Sequence, residues 1–114
     1  MRPGPAITVL LCAALAACAG SPSGTADSQR RMDELAAIAR EGGESRIPAV
    51  LPSLRSDDPL VRHRAQQTLL TLAGTTNGYD WAAPREVRER AVDAWVEWCR
   101  RRGLAQPAEG TPHA

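Results

Sequence analysis

Apolar residues return at helical spacing in four stretches of this chain, and nowhere does a run alternate strictly between apolar and polar. In residues 28–41, Met32, Leu35, Ala36 and Ala39 fall at i, i+3, i+4 and i+7, one face of a helix. Asp27 or Ser28 supplies the cap, and Gly42 with Gly43 the stop. Residues 46–55 repeat the spacing with Ile47, Val50, Leu51 and Leu54 behind a Ser45 cap. Pro48 lies in the first turn, where its missing donor costs little, whereas Pro52 is interior and is expected to bend the helix. Residues 59–73 open with Asp58 as cap and Pro59 at the first helical position, and Val61, Ala65, Leu69 and Leu72 line one side as far as Gly74. After a loop, GTTNGYDWAA, residues 84–102 place Val87, Ala91, Ala94, Trp95, Trp98 and Cys99 on a last stripe. Glu86 with Arg90, and Glu97 with Arg101, are i, i+4 pairs on its charged outer side, and Gly103 ends it. The pattern predicts an all-α fold of four helices.

The two ends of the chain read differently. Arg2 precedes an apolar run over residues 6–17, after which the sequence turns small and polar, the order of a secretory signal peptide. A run of about twelve residues is too short for a bilayer core, which takes about 20. Residues 19–26, AGSPSGTA, have the composition of a flexible tether, and residues 104–114 lack apolar periodicity and read as a disordered tail.

Leu15, Ala16, Ala17 and Cys18 resemble the lipobox of bacterial lipoproteins. The resemblance implies cleavage before Cys18 and acylation of its thiol and new amino group. That would divide the chain into a signal peptide at 1–17, a lipidated cysteine and tether at 18–27, and a folded domain at 28–103. One acyl chain holds a protein only reversibly, whereas several, each burying methylenes at about 0.8 kcal/mol, make release negligible. Ordinary cleavage at Ala17 or Ala19 is the alternative, and only then is a Cys18–Cys99 pairing open. Cys12 leaves with the signal, and Cys99, on the apolar stripe, reads as a buried small hydrophobe.

The stretch from Ile47 to Gly74, IPAVLPSLRSDDPLVRHRAQQTLLTLAG, resembles a HEAT repeat: a proline-bent helix, an Asp-Pro turn, a Val-Arg pair and an Ala-then-Leu spine. By that resemblance Asp58 and Pro59 form the turn and cap, Val61 packs inward, and Arg62 reaches along the stack to an acidic neighbour. The next segment is similar to a terminal segment of bacterial HEAT-repeat proteins, with Gly78, Tyr79, Asp80, Pro84, Trp95 and Trp98 in matching positions. The implied fold is a short HEAT-like α-solenoid of about two helix pairs. Such stacks normally need about three repeats to cover both faces of each pair, so Tyr79, Trp81, Trp95 and Trp98 are expected to act as a structural cap over an open end.

Composition narrows the function. All 14 basic residues are arginines, against 13 acids, and removing residues 1–17 takes Arg2 away and leaves the two in balance. A nucleic-acid binder needs concentrated positive charge, and this chain has no basic run interleaved with aromatics. It also has no Gly-rich phosphate loop, no HExxH and no CxxC. His63 stands between Arg62 and Arg64 on a helix, and His113 in the tail; a metal site of Asp57 or Asp58 with His63 is outweighed by their turn and cap roles. No cofactor, metal or catalytic residue is expected. The expected function is non-catalytic: a lipid-anchored interaction module on the periplasmic or outer side of a bacterial membrane, held through Cys18 and binding another envelope protein. The alternatives are a structural lipoprotein that self-associates and an accessory subunit of an envelope enzyme.

Overall fold

The computed structural model describes residues 22–105; the signal-peptide and Cys18 readings, and the tail beyond residue 105, lie outside it. The described chain is all-helical: α1 (Pro22–Glu41), a single 3₁₀ turn (Glu44–Arg46), α2 (Ile47–Leu54), α3 (Pro59–Ala73) and α4 (Arg85–Arg101).

Helix α1 begins at Pro22, so the described part of the expected tether is helical. Proline is at home in a first turn, and once packing has nucleated a helix each further residue adds a hydrogen bond. Asp27 and Ser28 therefore sit inside the helix, where Asp27 pairs with Arg30. The buried face is Leu35 and Ile38, with Met32 packed at its edge, while Ala36 and Ala39 are only half-buried. Ile38 was absent from the predicted stripe.

Ser45 does not cap α2. The 3₁₀ turn feeds straight into that helix, with Arg46 N donating to Gly43 O at 3.1 Å and Ile47 N to Glu44 O, so backbone carbonyls take the role a side chain would have played. Six of the eight residues of α2 are buried, including Ile47, Val50, Leu51 and Leu54. A helix apolar on all sides belongs in the middle of a fold, and α2 is the one that packs against α3, α4 and, more lightly, α1. Pro52 lacks the N–H that would have bonded the carbonyl of Pro48.

Helix α3 matches its predicted bounds. Asp58 caps it, Oδ1 accepting from Leu60 N at 2.9 Å, and Gly74 closes it at φ 77°, a left-handed conformation glycine adopts without strain, donating to Leu70 O at 2.9 Å. Val61, Ala65 and Leu69 are buried as expected, Leu72 is half-buried, and Thr68 joins the core with its hydroxyl returned to Arg64 O at 2.9 Å. On α4 the buried residues are Ala91, Val92, Trp95 and Cys99, whereas Val87 and Ala94 face out. Glu97 pairs with Arg100, one residue before the predicted Arg101. Leu104, placed in the tail by its sequence, packs on the core and donates to Cys99 O at 2.9 Å.

Packing places the helices in the order α1, α3, α2, α4. Three contacts give their directions. Ser28 in the first half of α1 bonds Asp58 at the start of α3; Arg85 at the start of α4 reaches Asp57 in the α2–α3 turn; Arg102 just past α4 pairs with Glu44 just before α2. Helices α1, α3 and α4 therefore run the same way and α2 runs against all three. Because α3 ends at the far end from where α4 begins, residues 75–84 must travel back alongside α3, and they do so as a strap.

Candidate functional site

The strap is bonded along its length. Asn77 and Gly78 both have positive φ, 52° and 88°, and Tyr79 N donates to Thr76 O at 3.0 Å. Asn-Gly is the preferred pair for a turn that needs two positive φ angles, a signal in the sequence that the helical periodicity did not use. The indole of Trp95 donates to the same Thr76 oxygen at 2.7 Å, and the hydroxyl of Tyr79 to Leu54 O at 2.7 Å. Further on, Trp81 N donates to Gln66 Oε1 at 2.8 Å, and Arg88 Nε to Ala83 O at 2.9 Å.

Arg62 makes two of the same kind of bond. Its Nε donates to Trp81 O at 3.1 Å and its Nη1 to Ser56 O at 2.9 Å. The expected partner was an acidic residue of a neighbouring repeat; the observed ones are two carbonyls that the strap and the α2–α3 turn leave without helical partners. A planar guanidinium is suited to bridging two fixed acceptors. Pro59 occupies the first helical position and Val61 is buried, as the sequence reading placed them.

The four predicted aromatics separate into two kinds. Tyr79 and Trp95 are in the core at 2% and 0% exposure. Burial pushes the Tyr79 phenol above its ordinary value, since removing it from water disfavours the charged form. Trp98 and Trp81 are half-buried at the edges. Trp98 lies edge-on to Trp95, with centroids 5.1 Å apart, and Arg102 covers it at 3.9 Å. Trp81 meets His63 edge-on at 5.3 Å, which gives that histidine a packing partner. Cys99 is fully buried.

The accessible concavity lies elsewhere, where the first half of α1 crosses the α2–α3 turn and the start of α3. A polar pocket of about 360 Å³ is lined by Asp27, Ser28, Arg31, Ser56, Asp57 and Asp58 among others. Beside it a groove of about 510 Å³ includes Gly24, Thr25, Ser28, Met32, Asp58 and Leu60. The Ser28 hydroxyl, hydrogen-bonded to Asp58, together with the Leu60 N–H, holds that carboxyl below the usual carboxylate range. Leu60 is 64% exposed, the most exposed large apolar side chain of the described chain.

The carboxylates here are engaged: Asp27 with Arg30, Asp57 with Arg85 at 3.5 Å, Asp58 with its cap. Among the described residues no three His, Cys, Asp or Glu side chains gather as a metal site would require, and no helix is long and apolar enough to cross a membrane. What the geometry offers is a mixed apolar and polar surface at the end of the molecule where α1 starts. Compared with protein-family models, curated proteins and solved structures, the chain matches none.

Proposed function

We propose that this chain is a lipid-anchored, non-catalytic interaction module of a bacterial cell envelope, attached through Cys18 and presenting a helical domain to another envelope protein. The observation that carries the reading is the lipobox-like Leu15-Ala16-Ala17-Cys18 standing directly before a folded helical unit, with only Ala19, Gly20 and Ser21 between Cys18 and the first residue of α1. Within that unit Arg62, Tyr79 and Trp95 direct their polar groups to backbone carbonyls that hold the strap and turns together.

Helix order supports the HEAT-like part of the reading. The α2–α3 hairpin closes through Asp58 and Pro59, and α1 lies beside and parallel to α3, as the second helices of successive repeats do. Helix α4 departs from repeat geometry by running against α2, where a further repeat would supply a parallel first helix. With its strap it terminates the row, the role the resemblance assigned to the aromatics. A terminated row has little need of a second copy to cover that end, which favours a different partner over self-association.

Two measurements test the proposal. The mature protein should carry acyl chains on an amino-terminal Cys18 by mass spectrometry, and Cys18→Ser should leave the membrane fraction. Photo-crosslinking groups on the outer side of α4, at Arg90 and Ala94, should trap one reproducible envelope protein in intact cells. An unmodified amino terminus, or no reproducible adduct, defeats the anchoring or the interaction claim respectively.

A further inference from the structure

We infer that the end of the domain bearing Pro59, Leu60 and the α1–α3 groove rests on the lipid surface, so that the opposite end, with Trp98 and Arg102, points away from the membrane. The inference deepens the anchoring reading and rests on it.

Reach is the first argument. A chain extends at most about 3.3–3.6 Å per residue, so the step from Cys18 to Pro22 spans no more than about 14 Å. The sequence alone had allowed a tether through Ala26, but α1 is already helical at Pro22. The attachment point of the acyl chains and the start of α1 are therefore held within about 14 Å of each other. A helix of twenty residues is about 30 Å long, so its far end has more than twice that reach.

The second argument is what stands at the near end. Gly24 and Thr25, in the first turns of α1, line the same groove as Met32 and Leu60. Leu60 follows Pro59 at the tip of α3, both exposed, so the surface closest to the anchor is an apolar tip beside an apolar-floored groove.

Charge is the third. Asp27, Asp57 and Asp58 would oppose contact with headgroup phosphates if bare. Each is engaged within the chain, and Arg30, Arg31 and Arg85 stand among them. A balanced rim around an apolar tip suits a zwitterionic surface, and contact of that kind does not depend on salt, because no net attraction is there to be screened.

The test uses the full acylated chain in phosphatidylcholine vesicles, with an environment-sensitive nitrobenzoxadiazole probe on Leu60→Cys or, for comparison, on Leu70→Cys further down the same helix. Leu70 is 40% exposed, so both sites accept a probe without disturbing the core. The unsubstituted chain serves as the labelling blank. The probe at position 60 should shift to shorter wavelength on vesicle addition and be quenched by nitroxide lipids, at low and high salt alike, and the probe at 70 should not. Water-like emission at both positions, in protein whose mass shows the acyl chains, overturns the inference and leaves the anchoring reading intact. Absence of acyl chains in the mass spectrum removes both. A shift at position 60 that grows with protein concentration in the absence of vesicles assigns the surface to a second copy and also overturns the inference.

Discussion

The hydroxyl of Tyr79 donates to the carbonyl oxygen of Leu54 at 2.7 Å, joining the strap to the last turn of the central helix. Both groups are buried, and the carbonyl belongs to a helix end, where no intrahelical donor reaches. Replacing Tyr79 by Phe keeps the ring and strands that oxygen away from water. An unsatisfied buried acceptor costs about 1–3 kcal/mol, so Tyr79→Phe should lower the unfolding free energy by that amount, read as a lower denaturant midpoint with an unchanged slope. A midpoint equal to the parent's would mean that water or another donor serves Leu54.

The two tryptophans of α4 should behave unequally, although they share one apolar stripe. Trp95 is fully buried and bonded to Thr76 O. Its replacement by Ala should cost about 3–5 kcal/mol, a large share of the roughly 5–15 kcal/mol that keeps a typical domain folded. Trp98→Ala forfeits an edge contact and a stacked arginine, each worth about 0.5–1.5 kcal/mol, and should stay folded with a lower melting temperature. Circular dichroism melts of the two variants decide it; equal losses would show that burial does not separate these rings.

Gly78 tests the strap's backbone without touching its packing. At φ 88° a Cβ would meet nothing within 4 Å, so only conformational strain opposes one. Gly78→Ala should destabilise by about 1–2 kcal/mol, and Asn77→Gly should be tolerated, since glycine accepts the same positive φ. If Gly78→Ala were neutral in chemical unfolding, the turn would be relaxing to another form.

Asp58 gives the domain an acid sensitivity of defined sign. Its folded carboxyl lies below the usual range because the Ser28 hydroxyl and the Leu60 N–H favour the charged form. A depressed value contributes stability that is present above the unfolded value, about 3.9, and that is lost as pH falls through the folded one. Asn is an equally good cap but carries no charge. The parent should therefore exceed Asp58→Asn in stability at neutral pH, with the gap closing below about pH 4. A gap independent of pH in urea titrations would remove the charge from the account.

The α3 bounds were legible because cap, first-turn proline, spine and closing glycine all agree locally: Asp58, Pro59, Val61 through Leu69, Gly74. The register of α1 was not. Ala36 and Ala39 satisfy the helical spacing as well as Leu35 and Ile38 do, and only the neighbour they meet decides which pair is inside. Arg62 could not be assigned its carbonyl partners, because Ser56 and Trp81 come together only once the strap has folded back. Nor could the groove at Leu60 be foreseen, since it is made by two helices that the chain separates by a third.

Local chemistry thus determined the all-α class, the four helices and most of their ends, since spacing, caps and breakers act over a few residues. The address-like opening through Cys18 is likewise a property of the sequence by itself. The tertiary structure decided the order α1, α3, α2, α4, the reversed sense of α4 against α2, and the division of four aromatics into two core and two edge residues. Each of these depends on contacts between residues far apart in the chain, and periodicity along one segment carries no information about which other segment it will meet.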